Sequence, residues 1–235
     1  MTRRRPKHKE WPIVVALDES WSESKIWTKR LKGKVWGFKV GSILFSEMGP
    51  KVVQKLKAEG FRIFLDLKYH DIPNTVAGAV RQAFDLGADL VTLHSSGGRA
   101  MCEAAAKLQN SKQSVLAVTV LTSFDEKDLK DLGIDRSLPK QVESLASLAI
   151  KSGVHGLVCS PLEVANLRKK FPKAILVTPG IRLEANGTQD QKRTSGLQDT
   201  FLNGASLAVV GRALTGEKNW KAAWEKINSS LEEIF

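Results

Sequence analysis

Eight short runs rich in β-branched and other apolar residues recur along the chain: Trp11 to Leu17, Val35 to Val40, Arg62 to Leu67, Asp89 to His94, Val115 to Leu121, Val154 to Cys159, Ala174 to Thr178 and Leu207 to Val210. Their near-continuous apolar character suits strands covered on the outside by helices and closed around a packed interior, as a parallel sheet demands. Helical patterns lie between them, and several starts are legible. Ser20-Trp21-Ser22-Glu23, Ser123-Phe124-Asp125-Glu126 and Ser160-Pro161-Leu162-Glu163 read as capping boxes, the last with proline at the first helical position. Strand then helix, eight times, predicts an α/β chain folded as a single-domain (β/α)8 TIM barrel. An open doubly wound sheet is the alternative, but no GxGxxG follows the first run, and charged residues recur at several strand ends. The 235 residues suit one such barrel. The chain divides into a basic arm over residues 1–10, expected to be flexible, and a barrel over residues 11–235.

Charge and composition narrow the function classes. The net charge is +11, of which the arm supplies a share through Arg3, Arg4, Arg5, Lys7 and Lys9. Nucleic-acid binding would produce such an excess, and so would a substrate carrying phosphate and carboxylate, so charge alone is a weak guide. No apolar run approaches the roughly 20 residues of a membrane span. The stretch Ile13 to Leu17 is too short for a signal-peptide core. A cytoplasmic protein is expected, with no membrane and no nucleic acid among its partners. Cys102 and Cys159 stand in no CxxC or Cys/His spacing, which predicts buried thiols and no metal site.

In a β/α barrel the active site lies at the C-terminal ends of the strands, where polar residues carry weight. Asp18 closes the first run, Lys39 sits in the second, and Asp66 and Lys68 close the third. His94 ends the fourth, Thr122 and Ser123 follow the fifth, Pro179-Gly180-Ile181-Arg182 follows the seventh, and Gly211-Arg212 the eighth. Strand residues two apart share a face, so Asp66 and Lys68 should project together. Lys39, among apolar neighbours on an adjacent strand, needs a partner, and Asp66 is the obvious one. With Asp71 the order becomes Lys39, Asp66, Lys68, Asp71. An ordinary buried salt-bridge network is the competing reading.

A second signal points to phosphate. Loops after the seventh and eighth strands of such barrels commonly bind phosphate through backbone N–H groups freed by glycine together with arginine. Gly180 with Arg182, and Gly211 with Arg212, fit that use, although turn geometry and surface ion pairs would explain either alone. His94 has no second histidine at ligand spacing and reads as structural or as a minor site contact. His70 should point away from Lys68 if the strand continues.

The segment DLKYHDIPNT (Asp66 to Thr75), with FKVG around Lys39, VLTS at Val120 to Ser123, TPGIR at Thr178 to Arg182 and VGR at Val210 to Arg212, closely resembles the orotidine 5'-phosphate decarboxylase family of bacterial type. The resemblance implies a homodimeric lyase that converts orotidine 5'-monophosphate to uridine 5'-monophosphate (UMP) and CO2 in de novo pyrimidine biosynthesis, without cofactor. It implies Lys68 as proton donor, Asp18 and Lys39 at the ribose hydroxyls, and Asp71 and Thr75 contributed across the dimer. Ile72 and Pro179 would also contact the nucleotide. Thr122 or Ser123 would meet the pyrimidine amide, and Arg182, Gln191, Gly211 and Arg212 the phosphate. The loop departs from the family pattern, running from Asp190-Gln191-Lys192-Arg193 into Thr194-Ser195-Gly196 where Thr-Pro is usual, which leaves Gln189 open beside Gln191. Alanine follows Arg212 where the family has proline.

Two other readings compete. One is another phosphate-sugar barrel enzyme, a keto-gulonate-phosphate decarboxylase or a ribulose-phosphate epimerase. The other, of a different class, is a basic nucleic-acid-binding protein.

Overall fold

The computed structural model describes residues 10–182, 193 and 195–235. The basic arm up to Lys9, and Gln189 and Gln191, lie outside the described residues. Eight parallel strands close into a barrel: β1 (Trp11–Leu17), β2 (Val35–Gly41), β3 (Ile63–Tyr69), β4 (Leu90–His94), β5 (Ser114–Val118), β6 (Gly156–Val158), β7 (Ile175–Thr178) and β8 (Leu207–Val210). Closure comes from β1 and β8, with Ile13 beside Ala208, Val14 beside Val209 and Val15 beside Val210. The expected (β/α)8 barrel is the observed fold.

Alternation along the strands sorts the apolar residues into two cores. Ile13, Val15 and Leu17 of β1, with Ile63 and Leu65 of β3, face the surrounding helices. Val14, Ala16, Phe64, Leu116, Val118, Val158, Val177 and Val209 fill the barrel interior. Residues of opposite parity thus serve different layers, and polar residues on the inward parity near the strand ends face the mouth of the barrel.

The helix starts agree with expectation at two of three sites. Ser20 and Glu23 form a capping box on the helix Trp21–Leu31. Ser160 and Glu163 do the same for a 3-10 turn, Pro161–Glu163, that runs into the helix Val164–Lys170. The box expected at Ser123 lies instead at Asp125, which accepts from the N–H groups of Lys127 and Asp128, while Asp128 reaches back to the Asp125 N–H. An aspartate caps as well as serine and adds a negative charge at the helix's positive end, which favours the start at Asp125.

Most strand limits agree within two residues; β5 ends at Val118 rather than Leu121. There the carbonyls of Val120 and Leu121 bond to Arg193 instead of a neighbouring strand. Among the described residues no helix is long and apolar enough to cross a membrane.

Candidate active site

On β2, Lys39 turns inward between the outward-packed Phe38 and Val40. On β3, Asp66 continues the inward row begun by Phe64. The two strands pair with Lys39 beside Phe64 and Gly41 beside Asp66. Asp66 Oδ2 lies 2.9 Å from Lys68 Nζ and 3.7 Å from Lys39 Nζ, and Lys39 Nζ donates to Asp18 Oδ1 at 2.9 Å. The charges expected at the strand ends therefore form one continuous chain, Asp18, Lys39, Asp66, Lys68.

Simple alternation does not account for the last of these. Lys68 has φ of 51° and is the one non-glycine residue of positive φ among the described residues. The β3–β4 register slips between Leu65 and Tyr69. A side chain with a Cβ held in the left-handed region costs on the order of 1–3 kcal/mol, so the surroundings must fix it there. Thr92, fully buried on β4, does so from two sides. Its Oγ1 accepts the Lys68 backbone N–H at 2.9 Å and donates to Asp66 Oδ1 at 2.9 Å. Nothing singled out Thr92 in the sequence. The available signal was a hydroxyl at the inward parity of an otherwise apolar run, Leu90-Val91-Thr92-Leu93.

Burial would push the Asp66 carboxyl up. The Lys39 and Lys68 ammonium groups, with hydrogen bonds from Lys68 and Thr92, outweigh it and hold the carboxyl below its ordinary value. It is a carboxylate at neutral pH. Gly41 leaves room for the chain of charges, because a Cβ there would lie 2.9 Å from Lys39 Nζ and 3.2 Å from Asp18 Oδ1.

These groups line one side of a cavity of about 250 Å³ at the barrel mouth. Gly180, Gly211 and Arg212 line it from the loops after β7 and β8, with Pro179 beside them and Thr122 from the loop after β5. Phe64, Val118, Val158 and Val209 give it an apolar floor. Gly180 has φ of 84°, which explains a glycine at that turn. Lysines alternating with carboxylates at one end offer fixed charges and hydrogen bonds of both kinds, and glycine backbone with an arginine at the other suits an anionic group.

Other expected site residues are not among those that line this cavity. Ser123 is exposed and Arg182 half-buried, and neither lines it. Asp71, Ile72 and Thr75 are all exposed and outside its lining, with Asp71 Oδ1 accepting the Ile72 N–H at 2.6 Å. His94 is half-buried, and its ring centroid is 5.6 Å from that of His70. Burial, His70 and Lys68 lower its pKa against the opposing pull of Asp66, which keeps it neutral. Burial pushes the Cys159 thiol up to about 12, and burial with Glu103 pushes Cys102 up to about 11, in keeping with inert buried thiols. Among the described residues no group of three or more His, Cys, Asp or Glu is placed to hold a metal ion.

Residues 12–227 match the family described as orotidine 5'-phosphate decarboxylase / HUMPS. A protein of Dichelobacter nodosus named orotidine 5'-phosphate decarboxylase is 44% identical over 225 residues, covering 94% of this chain and 98% of that one. The protein of that name from Coxiella burnetii (strain RSA 493) is 40% identical over 227 residues, covering 94% and 96%. Among solved structures, the orotidine 5'-phosphate decarboxylase of Lactobacillus acidophilus superposes with a TM-score of 0.81 at 34% identity, over 93% of this chain and 98% of that one.

Proposed function

The chain belongs to the orotidine 5'-phosphate decarboxylase / HUMPS family, and on that premise we propose that it converts orotidine 5'-monophosphate to UMP and CO2 in pyrimidine biosynthesis, with Lys68 as proton donor. The observation that carries the reading is the Asp18–Lys39–Asp66–Lys68 chain at one side of a cavity whose other side presents Gly180, Gly211 and Arg212.

When the bond from C6 to the carboxylate breaks, its electron pair stays on C6, where the ring delocalises it poorly. A fixed cation must then stabilise that charge. Lys68 supplies the field and transfers an N–H proton to C6, leaving a neutral amine that solvent reprotonates. Asp66 holds the ammonium in place, and its charge near the substrate carboxylate disfavours the bound ground state. The field of Lys68 ranks above that strain, because a hydrogen-bonded cation is a geometric fact of the site. Asp18 and Lys39 serve the ribose hydroxyls. Thr122 serves the pyrimidine amide, since it lines the cavity and Ser123 does not. Arg212, Gly211 and Pro179 face the phosphate end, with Arg182 and Gln191 as further phosphate ligands. Phosphate contacts supply binding energy remote from the reacting carbon.

Asp71, Ile72 and Thr75 act on the site of a second copy in a cytoplasmic homodimer. Their exposure supports this, and Ile43, with 63% of its surface open directly after β2, adds to the 66% of Ile72 as exposed apolar surface after neighbouring strands. The deciding experiment follows ultraviolet loss of orotidine 5'-monophosphate by the full chain, with and without EDTA. Turnover that survives EDTA is expected. No turnover, or turnover that EDTA removes, would overturn the reading in favour of a metal-dependent relative.

A further inference from the structure

Outside the charged array the most deeply buried cation among the described residues is Arg193, only 8% exposed, and the chemistry above makes no use of it. Its Nη1 pairs with Glu163, also 8% exposed. The other Glu163 oxygen accepts the Ser160 N–H at 2.9 Å, and Ser160 Oγ donates to the carbonyl of Arg193 itself at 3.4 Å. The ring of contacts thus closes on itself. The second guanidinium nitrogen, Nη2, donates to the carbonyls of Val120, at 3.0 Å, and Leu121, at 2.8 Å, in the segment after β5.

A buried ion pair is weak evidence for stability, because an apolar replacement of similar shape often does as well. A planar guanidinium offers something else, a rigid fork that can satisfy a carboxylate and two carbonyls at once. The two carbonyls belong to the segment that leaves the sheet after β5. Val120 and Leu121 line the cavity, and Thr122 follows them into it. Without Arg193 two oxygens would lose their donors and the segment would turn to find water. The chain just after Arg193 bonds to the turn that follows β7. Ser195, two residues on, donates to the Gly180 carbonyl at 3.4 Å, and Ser195–Gly196 pairs with Ile181–Arg182.

We propose that Arg193 is a positioning residue, which fixes the pyrimidine-facing segment Val120–Thr122 relative to the phosphate-facing turn Gly180–Ile181. This rests on the assignment of the two cavity ends above. A displacement of about 1 Å in a substrate-positioning group can cost on the order of 100-fold in rate.

Arg193→Ala and Arg193→Lys test it, with wild-type turnover measured alongside. Arg193→Ala should lower kcat/KM for orotidine 5'-monophosphate about 100-fold and for the phosphate-free nucleoside by a similar factor. Its affinity for UMP should fall about tenfold or more. Arg193→Lys keeps the charge beside Glu163 but lacks the fork, and should lose about tenfold in kcat/KM. Because it retains the ion pair, it decides the matter if the alanine variant does not fold. Wild-type kcat/KM in Arg193→Lys, or a drop in kcat alone with UMP affinity intact, would overturn the proposal, since loss of folded enzyme lowers kcat without weakening each site. A loss confined to the phosphorylated substrate would also overturn it. A wild-type enzyme that leaves orotidine 5'-monophosphate unchanged would instead sink the functional reading.

Discussion

The β1–β4 half of the barrel and the β5–β8 half meet at one cavity but build their sides of it differently. The first half has strands of seven, seven, seven and five residues, and its polar groups stand on those strands or directly at their ends: Asp18, Lys39, Asp66, Lys68 and Thr92. The second half has strands of five, three, four and four residues. It gives Val118, Val158 and Val209 to the cavity floor and leaves the polar work to loops, through Thr122, Gly180, Gly211 and Arg212. Strands hold a charge to within fractions of an ångström, which suits a group that must meet a developing carbanion. Loops offer backbone N–H groups, which suit a phosphate carried by the substrate from start to finish.

The sharpest way to break that contrast is to remove the charge from the first half alone. If Lys68 supplies both the field and the proton, Lys68→Ala should lower kcat by about 10⁴-fold or more. UMP affinity should stay within about tenfold of wild type if binding energy resides in the other half. Stopped assays for turnover and calorimetry for UMP would read the two effects separately. A variant with near wild-type turnover would leave the array as a salt-bridge network.

Thr92→Val tests whether the strand half depends on its buried hydroxyl, and should lower kcat by about 100-fold with a smaller change in KM. The Lys68 N–H would lose its acceptor and Asp66 a donor, at a cost to stability of about 1–3 kcal/mol. Thr92→Ser, which keeps the oxygen, should recover most of the rate; equal losses in both variants would point to packing. The pH dependence has a definite sign. Asp66 has a folded-state pKa below its unfolded value, so its contribution to stability is present above about pH 4 and is lost as pH falls through the depressed value. Loss of the Thr92 bond moves the folded value up. Acid unfolding curves should therefore show a smaller Asp66 contribution in Thr92→Val than in wild type.

In the second half, Arg212→Ala should cost about 30-fold in kcat/KM for the phosphorylated substrate, since charge-assisted bonds are worth about 1.5–3 kcal/mol. The free nucleoside should change little. Equal losses on both substrates would place Arg212 away from phosphate and remove the division between the halves.

Legibility in the sequence followed the same division. Asp66 and Lys68 could be paired from two-residue spacing, and Lys39 could be joined to them because a lysine among Phe38 and Val40 needs an anion. The pairing came about through a register slip and a left-handed Lys68, which spacing does not encode. Thr92 was hidden because its two partners, at positions 66 and 68, become neighbours only when β3 and β4 pair. Arg193 was hidden for the same reason over a longer span, its carbonyl partners lying more than seventy positions earlier. Ser123 and Arg182, expected at the site by motif, are not among the residues that line the cavity, and a loop's contour cannot be read from strand periodicity.

The finest test of the strand half is Gly41→Ala. At Gly41 the backbone φ of −96° is open to any residue, so strain in the chain itself is not at issue. The added Cβ would approach Lys39 Nζ at 2.9 Å and Asp18 Oδ1 at 3.2 Å, and both are ends of flexible side chains. A shift of a few tenths of an ångström would relieve the contact at little cost to folding, so the melting temperature should stay close to wild type. The same shift would lengthen the Lys39–Asp18 bond and carry Lys39 relative to Asp66. If the Asp18–Lys39 pair binds substrate by precise placement, KM should rise by a few-fold to about tenfold while kcat changes less. If instead KM and kcat both match wild type, the array tolerates movement at its outer end. Precision would then reside only at Asp66, Lys68 and Thr92, where the Thr92 hydroxyl holds the Lys68 backbone.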